Sequence, residues 1–278
     1  MRESGKIQSA IVVVARLASA SNRPDPAAPG PPLTHFMHAN SRPVESAQSA
    51  PHQQLAALVR RHAASPFRKP PAAYSVAAFE QLLAVWDGRA PLLLDAGCGT
   101  GASTRALARL HPDCLAVGVD QSAARLAQGT NAARAAAALP NLMLLRADVV
   151  DIWGLLAARG VHLAHHYLLY PNPWPKPAQV MRRWPAHPAF PLVLSLGGRL
   201  ECRSNWRVYV EEFSAAVGLL RDAAPACEAF VPQETLTPFE RKYRDSGHTL
   251  WRATVELDAA TPPASAGRAA QALSPAAP

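Results

Sequence analysis

Seven residues in the middle of the chain, Asp95-Ala96-Gly97-Cys98-Gly99-Thr100-Gly101, have the types and spacing to hold a charged small molecule. The apolar run Leu92-Leu93-Leu94 leads into them, and Ala102 to Leu110 follows with helical character. Glycines at alternate positions allow a sharp turn and let a ligand reach bare backbone that a Cβ would block. The free N–H groups opening the next helix favour a polar or anionic group. Dinucleotide sites space their glycines as G-x-G-x-x-G. Here the spacing is G-x-G-x-G, with an acid two residues before the first glycine. Two further acids end strand-like segments. Asp120 closes Leu115 to Asp120, where a carboxylate accepts from ribose hydroxyls or interacts with the dipole of the next helix. Asp148 follows Leu142 to Arg146, and it either accepts from an adenine amino group or caps the next helix. Asp95 is suited to an ammonium group, directly or through water.

A second chemical segment is Tyr170-Pro171-Asn172-Pro173-Trp174-Pro175-Lys176. Prolines around Asn172 fix φ and remove competing donors, so its side chain is held stiffly. Such stiffness suits a group transfer that depends on alignment; a rigid structural turn is the plainer alternative. The elements that must position these residues alternate between strand and helix. Helices are expected at Ser75 to Trp86, Ala102 to Leu110, from Ser122 to before Pro140, and at Ile152 to Ala158. Another follows at Arg207 to Arg221. Strands are expected at Leu92 to Asp95, Leu115 to Asp120, Leu142 to Arg146, His162 to Leu169, after Gly197-Gly198, and at Thr249 to Leu257. This alternation predicts an α/β fold with a mostly parallel sheet, helices on both faces, and ligands at the carboxyl ends of the strands.

The chain has 278 residues and a formal charge of +8. That excess suggests a polyanionic partner, although an Arg-, Ala- and Pro-rich composition also follows from a GC-rich coding sequence. Basic residues cluster at Arg60-Arg61, Arg68-Lys69, Lys176 with Arg182-Arg183, and Arg241-Lys242 with Arg244. The Pro-, Ala- and Ser-rich stretches, taken as 1–50 and 259–278, are expected to lack a fold of their own. Residues 51–88 read as a helical segment, with His52 to Pro71 either a basic lid or a packing helix, and 89–258 as one domain. Near the start, Arg16 cuts the run Ile11 to Ala15 short of the roughly 7–15 residues of a signal core. Secretion is therefore not expected, and Met37 is a plausible alternative initiator. No run approaches the roughly 20 apolar residues of a membrane span. Cys98, Cys114, Cys202 and Cys227 show no CxxC spacing and the histidines no ligand spacing, so no metal is expected. A cytoplasmic protein with reduced cysteines, favoured as a monomer, follows.

The glycine loop is the pattern of S-adenosylmethionine (SAM) methyltransferases. More specifically, the chain resembles bacterial tRNA (guanine-N7) methyltransferases over about residues 90 to 257. The Asp95–Gly101 loop, Asp120, Asp148, Pro-Asn-Pro-Trp-x-Lys and Leu196-Gly197-Gly198 carry the resemblance. So do Ser204-Asn205-Trp206-x-x-Tyr209 and Thr237-x-Phe239-Glu240. It implies a single Rossmann-like domain with a seven-stranded sheet, SAM as cofactor and tRNA as partner. It also implies methylation of a guanine N7 in the variable loop. Asp95, Gly97, Gly99, Gly101, Asp120, Asp148 and Asn172 would hold SAM, with Asn172 also at the reacting centre. Lys176, Asn205, Thr237 and Glu240 would meet the guanine or nearby RNA. The family has Asp where this chain has Asn172 and Asn205, and its basic run after the Trp is thinner here. Asn172-Pro173-Trp174 also resembles the Asn-Pro-Pro-aromatic loop of amino-group methyltransferases. A homologue that binds SAM or RNA without turnover is a third reading.

Overall fold

The computed structural model describes residues 41–65, 67–133, 139–221 and 223–257. The expectations for residues 1–40, including the apolar run and Met37, and for the tail 259–278 lie outside the described residues. Two helices, α1 (Leu55–Ala64) and α2 (Ala73–Val85), precede the sheet. There follow β1 (Leu92–Ala96), α3 (Ala102–Leu110), β2 (Leu115–Asp120), α4 (Ala123–Ala133), β3 (Leu142–Arg146), α5 (Val149–Ala158) and β4 (His165–Leu169). Short 3-10 turns at Pro177–Arg182 and Trp184–Ala186 lead to α6 (Phe190–Ser195). The chain then forms β5 (Gly198–Ser204), α7 (Arg207–Arg221), β6 (Glu228–Phe230), α8 (Pro238–Asp245) and β7 (Leu250–Leu257).

The seven strands form one sheet in the order β3-β2-β1-β4-β5-β7-β6, in which β7 runs antiparallel to both neighbours. All five residues of β1 are buried, as expected of a parallel strand covered on both faces, which reads as an unbroken apolar run. The pleat divides that run: Leu92 and Leu94 enter the larger core, and Leu93 enters the core beneath α3. Each such side chain contributes about 1.5–3 kcal/mol of apolar burial. From β1 the chain winds outward to β3, then returns to place β4 on the other side of β1. This reversal opens a crevice at the carboxyl ends of β1 and β4, the expected ligand position in such sheets.

Three local expectations need correction. Helix α5 starts at Val149 rather than Ile152, because the Asp148 side chain accepts from Val150 N (2.9 Å) and caps it. Strand β4 starts at His165, not His162. Residues 41–50, expected to lack a fold, are docked on the domain. Ser41 N donates to Ser246 Oγ (3.2 Å), Ser46 Oγ to Pro175 O (2.6 Å), and Gln48 bonds both Glu212 and Arg183. Helix α8 was not anticipated, although Thr237-Pro238-Phe239-Glu240 has capping-box spacing with Pro at the first helical position. Thr237 Oγ1 accepts from Glu240 N at 2.8 Å. No described helix is long and apolar enough to cross a membrane.

Candidate functional site

A cleft of about 950 Å³ opens at the carboxyl ends of β1 and β4. One end is the glycine loop. Gly97 and Gly99 adopt left-handed backbone (φ 82° and 61°), and no heavy atom lies within 4 Å of the place a Cβ would take. That open space is what a ligand lying against the backbone needs. Gly101 differs. It caps α3 at φ 71°, and a Cβ there would meet the Leu144 side chain at 2.7 Å. It does not line the cleft, so its role is packing of the loop rather than ligand approach.

The three acids lie along this end. Asp95 is buried, and its Oδ2 accepts from Ser103 Oγ (2.6 Å) and Thr104 Oγ1 (2.7 Å). Burial raises its pKa to about 6 against those two hydrogen bonds, with a further push from Asp120. Its Oδ1 takes no part in those bonds. Asp120, also buried, accepts from Gly99 N (2.9 Å) and Ser122 N (2.8 Å) and lies 3.3 Å from the Arg125 guanidinium. It thus locks the glycine loop to the start of α4. Asp148 caps α5 with Oδ1, and its Oδ2 pairs with Lys69 at 2.8 Å. The capping alternative therefore holds for Asp148, while the residue still lines the cleft. Ser103 and Thr104, which orient Asp95, escaped the sequence reading; their signal is position in the first turn after the glycine loop.

The other end is built by the proline loop. Tyr170 and Trp174 bracket Pro171-Asn172-Pro173 with φ of 50° and 46°, a conformation that costs about 1–3 kcal/mol per residue and persists only where surroundings enforce it. Three contacts do so here. Tyr170 N donates to Arg203 O (2.8 Å), and Tyr170 Oη donates to Glu240 Oε1 (2.9 Å). The Arg183 guanidinium donates to Trp174 O from Nε (3.1 Å) and Nη2 (3.0 Å). Asn172 itself is exposed, with Oδ1 accepting from Trp174 N at 3.3 Å.

Two sequence expectations fail against this arrangement. Arg183, grouped with Lys176 and Arg182 as a basic cluster for a polyanionic partner, is fully buried and pairs with buried Glu212 at 2.7 Å. It also lies 4.7 Å over the Trp206 ring. Unlike Arg182, which is exposed over the Trp174 ring, it clamps the loop and cannot reach a partner. Glu240, expected to meet the substrate, is fully buried, and both its oxygens are taken. Oε1 accepts from Tyr170 and from Arg203 Nη1 (2.9 Å), and Oε2 from Leu236 N (2.6 Å). It ties α8 and β5 to the proline loop instead.

The remaining expected residues divide. Lys176 is exposed ahead of the first 3-10 turn and does not line the cleft, whereas Thr237 and Asn205 do. Thr237 is mostly buried by its capping role. The Asn205 amide is oriented by a relay. His248 Nε2 meets Ser41 O at 2.9 Å, and a carbonyl can only accept, so the proton sits on Nε2. His248 Nδ1 is then the acceptor for Asn205 Nδ2 at 3.2 Å, which leaves the Asn205 oxygen outside that pair. Phe239, exposed on the cleft wall, stacks with Tyr243, and Tyr243 stacks on His248. Of this aromatic ladder, only Phe239 had entered the sequence reading, within its motif.

The chain is similar to known proteins of three kinds. A family model described as "Putative methyltransferase" matches residues 89–253. The tRNA (guanine-N(7)-)-methyltransferase of Verminephrobacter eiseniae is 30% identical over 177 residues, which covers 59% of this chain and 61% of that protein. The protein of the same name from Bordetella pertussis is 26% identical over 249 residues, 85% of this chain and 89% of the relative. A crystal structure of the 16S rRNA methyltransferase KamB is 22% identical, with coverage of 68% and 95% and a TM-score of 0.44. The chain thus spans about three fifths of the first relative and nearly all of the second. The match to the family model covers the whole of the glycine loop, the proline loop, α8 and the first half of β7, and the chain belongs to this methyltransferase family.

Proposed function

We propose that this protein is a SAM-dependent methyltransferase that modifies N7 of a guanine in tRNA, acting in the cytoplasm. The observation that carries the reading is the two-ended cleft: an open glycine loop with three acids faces a strained, clamped proline loop. The residues present suit SAM. Bare backbone at Gly97 and Gly99 leaves room for the amino-acid portion, Asp95 Oδ1 is available to an ammonium, and Asp120 and Asp148, which line the same cleft, are the acceptors we assign to the ribose hydroxyls and the adenine amino group. When bound, SAM supplies an electrophilic methyl group on a sulfonium.

The chain's own task is then alignment. Guanine N7 carries a free lone pair, so no general base is required, and holding the acceptor at near-attack distance is the main contribution. Asn172 on its stiff loop is the residue we assign to the reacting centre. The Asn205 oxygen is an acceptor for guanine N–H groups, and Phe239 offers a face for the base once it leaves its stack. Exposed Arg60, Arg61, Arg68, Arg182, Arg241 and Lys242 are available to phosphates, which gives salt-dependent affinity. The test is incubation of the purified protein with radiolabelled SAM and total tRNA, followed by nucleoside analysis. Labelled 7-methylguanosine is the expected product. Label on an exocyclic amine would move the chemistry to the amino-group class, and no label despite SAM binding would leave a non-catalytic homologue.

A further inference from the structure

The opposite, amino-terminal ends of the central strands hold a cluster that methyl transfer does not use. His111 follows α3, Cys114 immediately precedes β2, and His165 opens β4. One nitrogen from each ring and the Cys114 sulfur lie within 4.8 Å of one another. Two imidazoles and a thiolate form a donor set suited to zinc, with a fourth position open to water.

The fold builds this cluster rather than merely permitting it. His111-Pro112-Asp113-Cys114 is a turn closed by Cys114 N donating to His111 O at 3.1 Å. Buried Asn141 fastens it: its Nδ2 donates to the carbonyls of Ala108 (2.9 Å), His111 (3.2 Å) and Cys114 (3.0 Å). Two of the three donors are thereby fixed on one rigid turn. The third arrives through topology, because β1 lies between β2 and β4 and pairs Leu93 with His165. The two imidazoles pack at 4.1 Å between centroids.

Two details point toward a ligand. His165 Nδ1 is buried with no hydrogen-bond partner, an arrangement that costs about 1–3 kcal/mol unless something satisfies it. His111 Nε2 lies 3.1 Å from Tyr167 Oη, the kind of outer contact that orients a ligating imidazole while its other nitrogen faces the ion. The nearby Arg199 charge is offset by Glu256 at 2.5 Å. His166, one residue on, takes the other face of the strand, where Trp153 Nε1 donates to its Nε2 at 3.1 Å. Only His165 is therefore free for this role.

We propose that His111, Cys114 and His165 bind one zinc ion that ties the α3–β2 turn to the start of β4. Zinc–ligand bonds of about 2.0–2.3 Å imply ligand–ligand edges of about 3.3–3.8 Å in a tetrahedral site, so with all three atoms within 4.8 Å of one another no separation has to contract by more than about 1.5 Å on binding. The site is remote from the cleft, so its role is structural and its loss spares SAM binding.

The experiment uses the untagged full-length protein, stripped with chelator and titrated with Co²⁺ alone. One equivalent should bind with a thiolate-to-cobalt charge-transfer band, and one equivalent of Zn²⁺ should displace it. Zinc should raise the melting temperature by several degrees. In Cys114→Ser the band should vanish, and in His165→Gln it should weaken at least tenfold in cobalt affinity, with both variants still binding SAM. Absence of stoichiometric cobalt binding by folded protein would overturn the proposal. So would an unchanged band in Cys114→Ser, which would assign the thiolate to another cysteine.

Discussion

The two ends of the cleft are made by different means. At the glycine loop, the parts that matter lie close together in the chain: Asp95 is held by Ser103 and Thr104, and Gly99 by Asp120 across one strand–helix unit. At the proline loop, the restraints depend on partners outside one strand–helix unit. Arg183 reaches back to Trp174, and it is held in turn by Glu212 in α7 and Gln48 ahead of α1. Glu240 in α8 holds Tyr170, and Ser41 sets the His248 tautomer that orients Asn205. The first end is a local backbone device; the second is an assembly that exists only in the folded domain. Damage to one should therefore leave the other largely intact.

The strongest way to break that separation is Glu212→Ala. It strands a fully buried guanidinium, and removing one partner of a buried pair costs about 3–5 kcal/mol of stability, measurable by urea unfolding. Turnover should collapse with the clamp on Trp174, while folded protein keeps its SAM affinity. An equally large loss of SAM binding would show that the two ends are one cooperative unit. The reciprocal change is Asp120→Ala. Hydrogen bonds to a charged acceptor are worth about 1.5–3 kcal/mol, so SAM affinity by calorimetry should fall by about 10–100-fold. Proteolytic protection of the proline loop should stay unchanged.

A smaller effect comes from pH. Asp95 has a folded pKa of about 6, raised by burial above its ordinary 3.8. Its ionisation is therefore favoured by unfolding, and its contribution to stability is greatest below pH 3.8 and is lost as pH rises toward 6. Pairing with an ammonium requires the ionised form, so SAM affinity should rise about tenfold from pH 5 to pH 7. Asp95→Asn should flatten that dependence; persistence of the slope would assign it to another group. The smallest expected effect is His248→Ala, which frees the Asn205 amide to rotate. Loss of one neutral hydrogen bond worth about 1 kcal/mol corresponds to a rate reduction of up to about tenfold. It should appear in turnover and not in SAM affinity, and a change in SAM affinity instead would sink the relay.

The contrast explains what could be read without coordinates. Glycine spacing, the acids at strand ends and the alternation of strands with helices are local patterns, because backbone sterics and side-chain periodicity act over a few residues. They were sufficient for the mostly parallel α/β fold, the glycine loop and the positions of Asp95 and Asp120. Residue type alone misread Arg183, Glu240 and Gly101. A charged residue in a basic or polar stretch carries no sign that a partner far along the chain will bury it, and a glycine does not show whether a ligand or Leu144 lies opposite. Likewise His111 and Cys114 share a turn, but nothing local brings His165 beside them. The sequence by itself determined the backbone frame and the glycine-loop end of the cleft. The tertiary structure alone decided which charges became clamps, which amide oxygen stays outside the His248 pair and which donors meet at the amino ends of the central strands, because those depend on contacts between residues that only strand order makes neighbours.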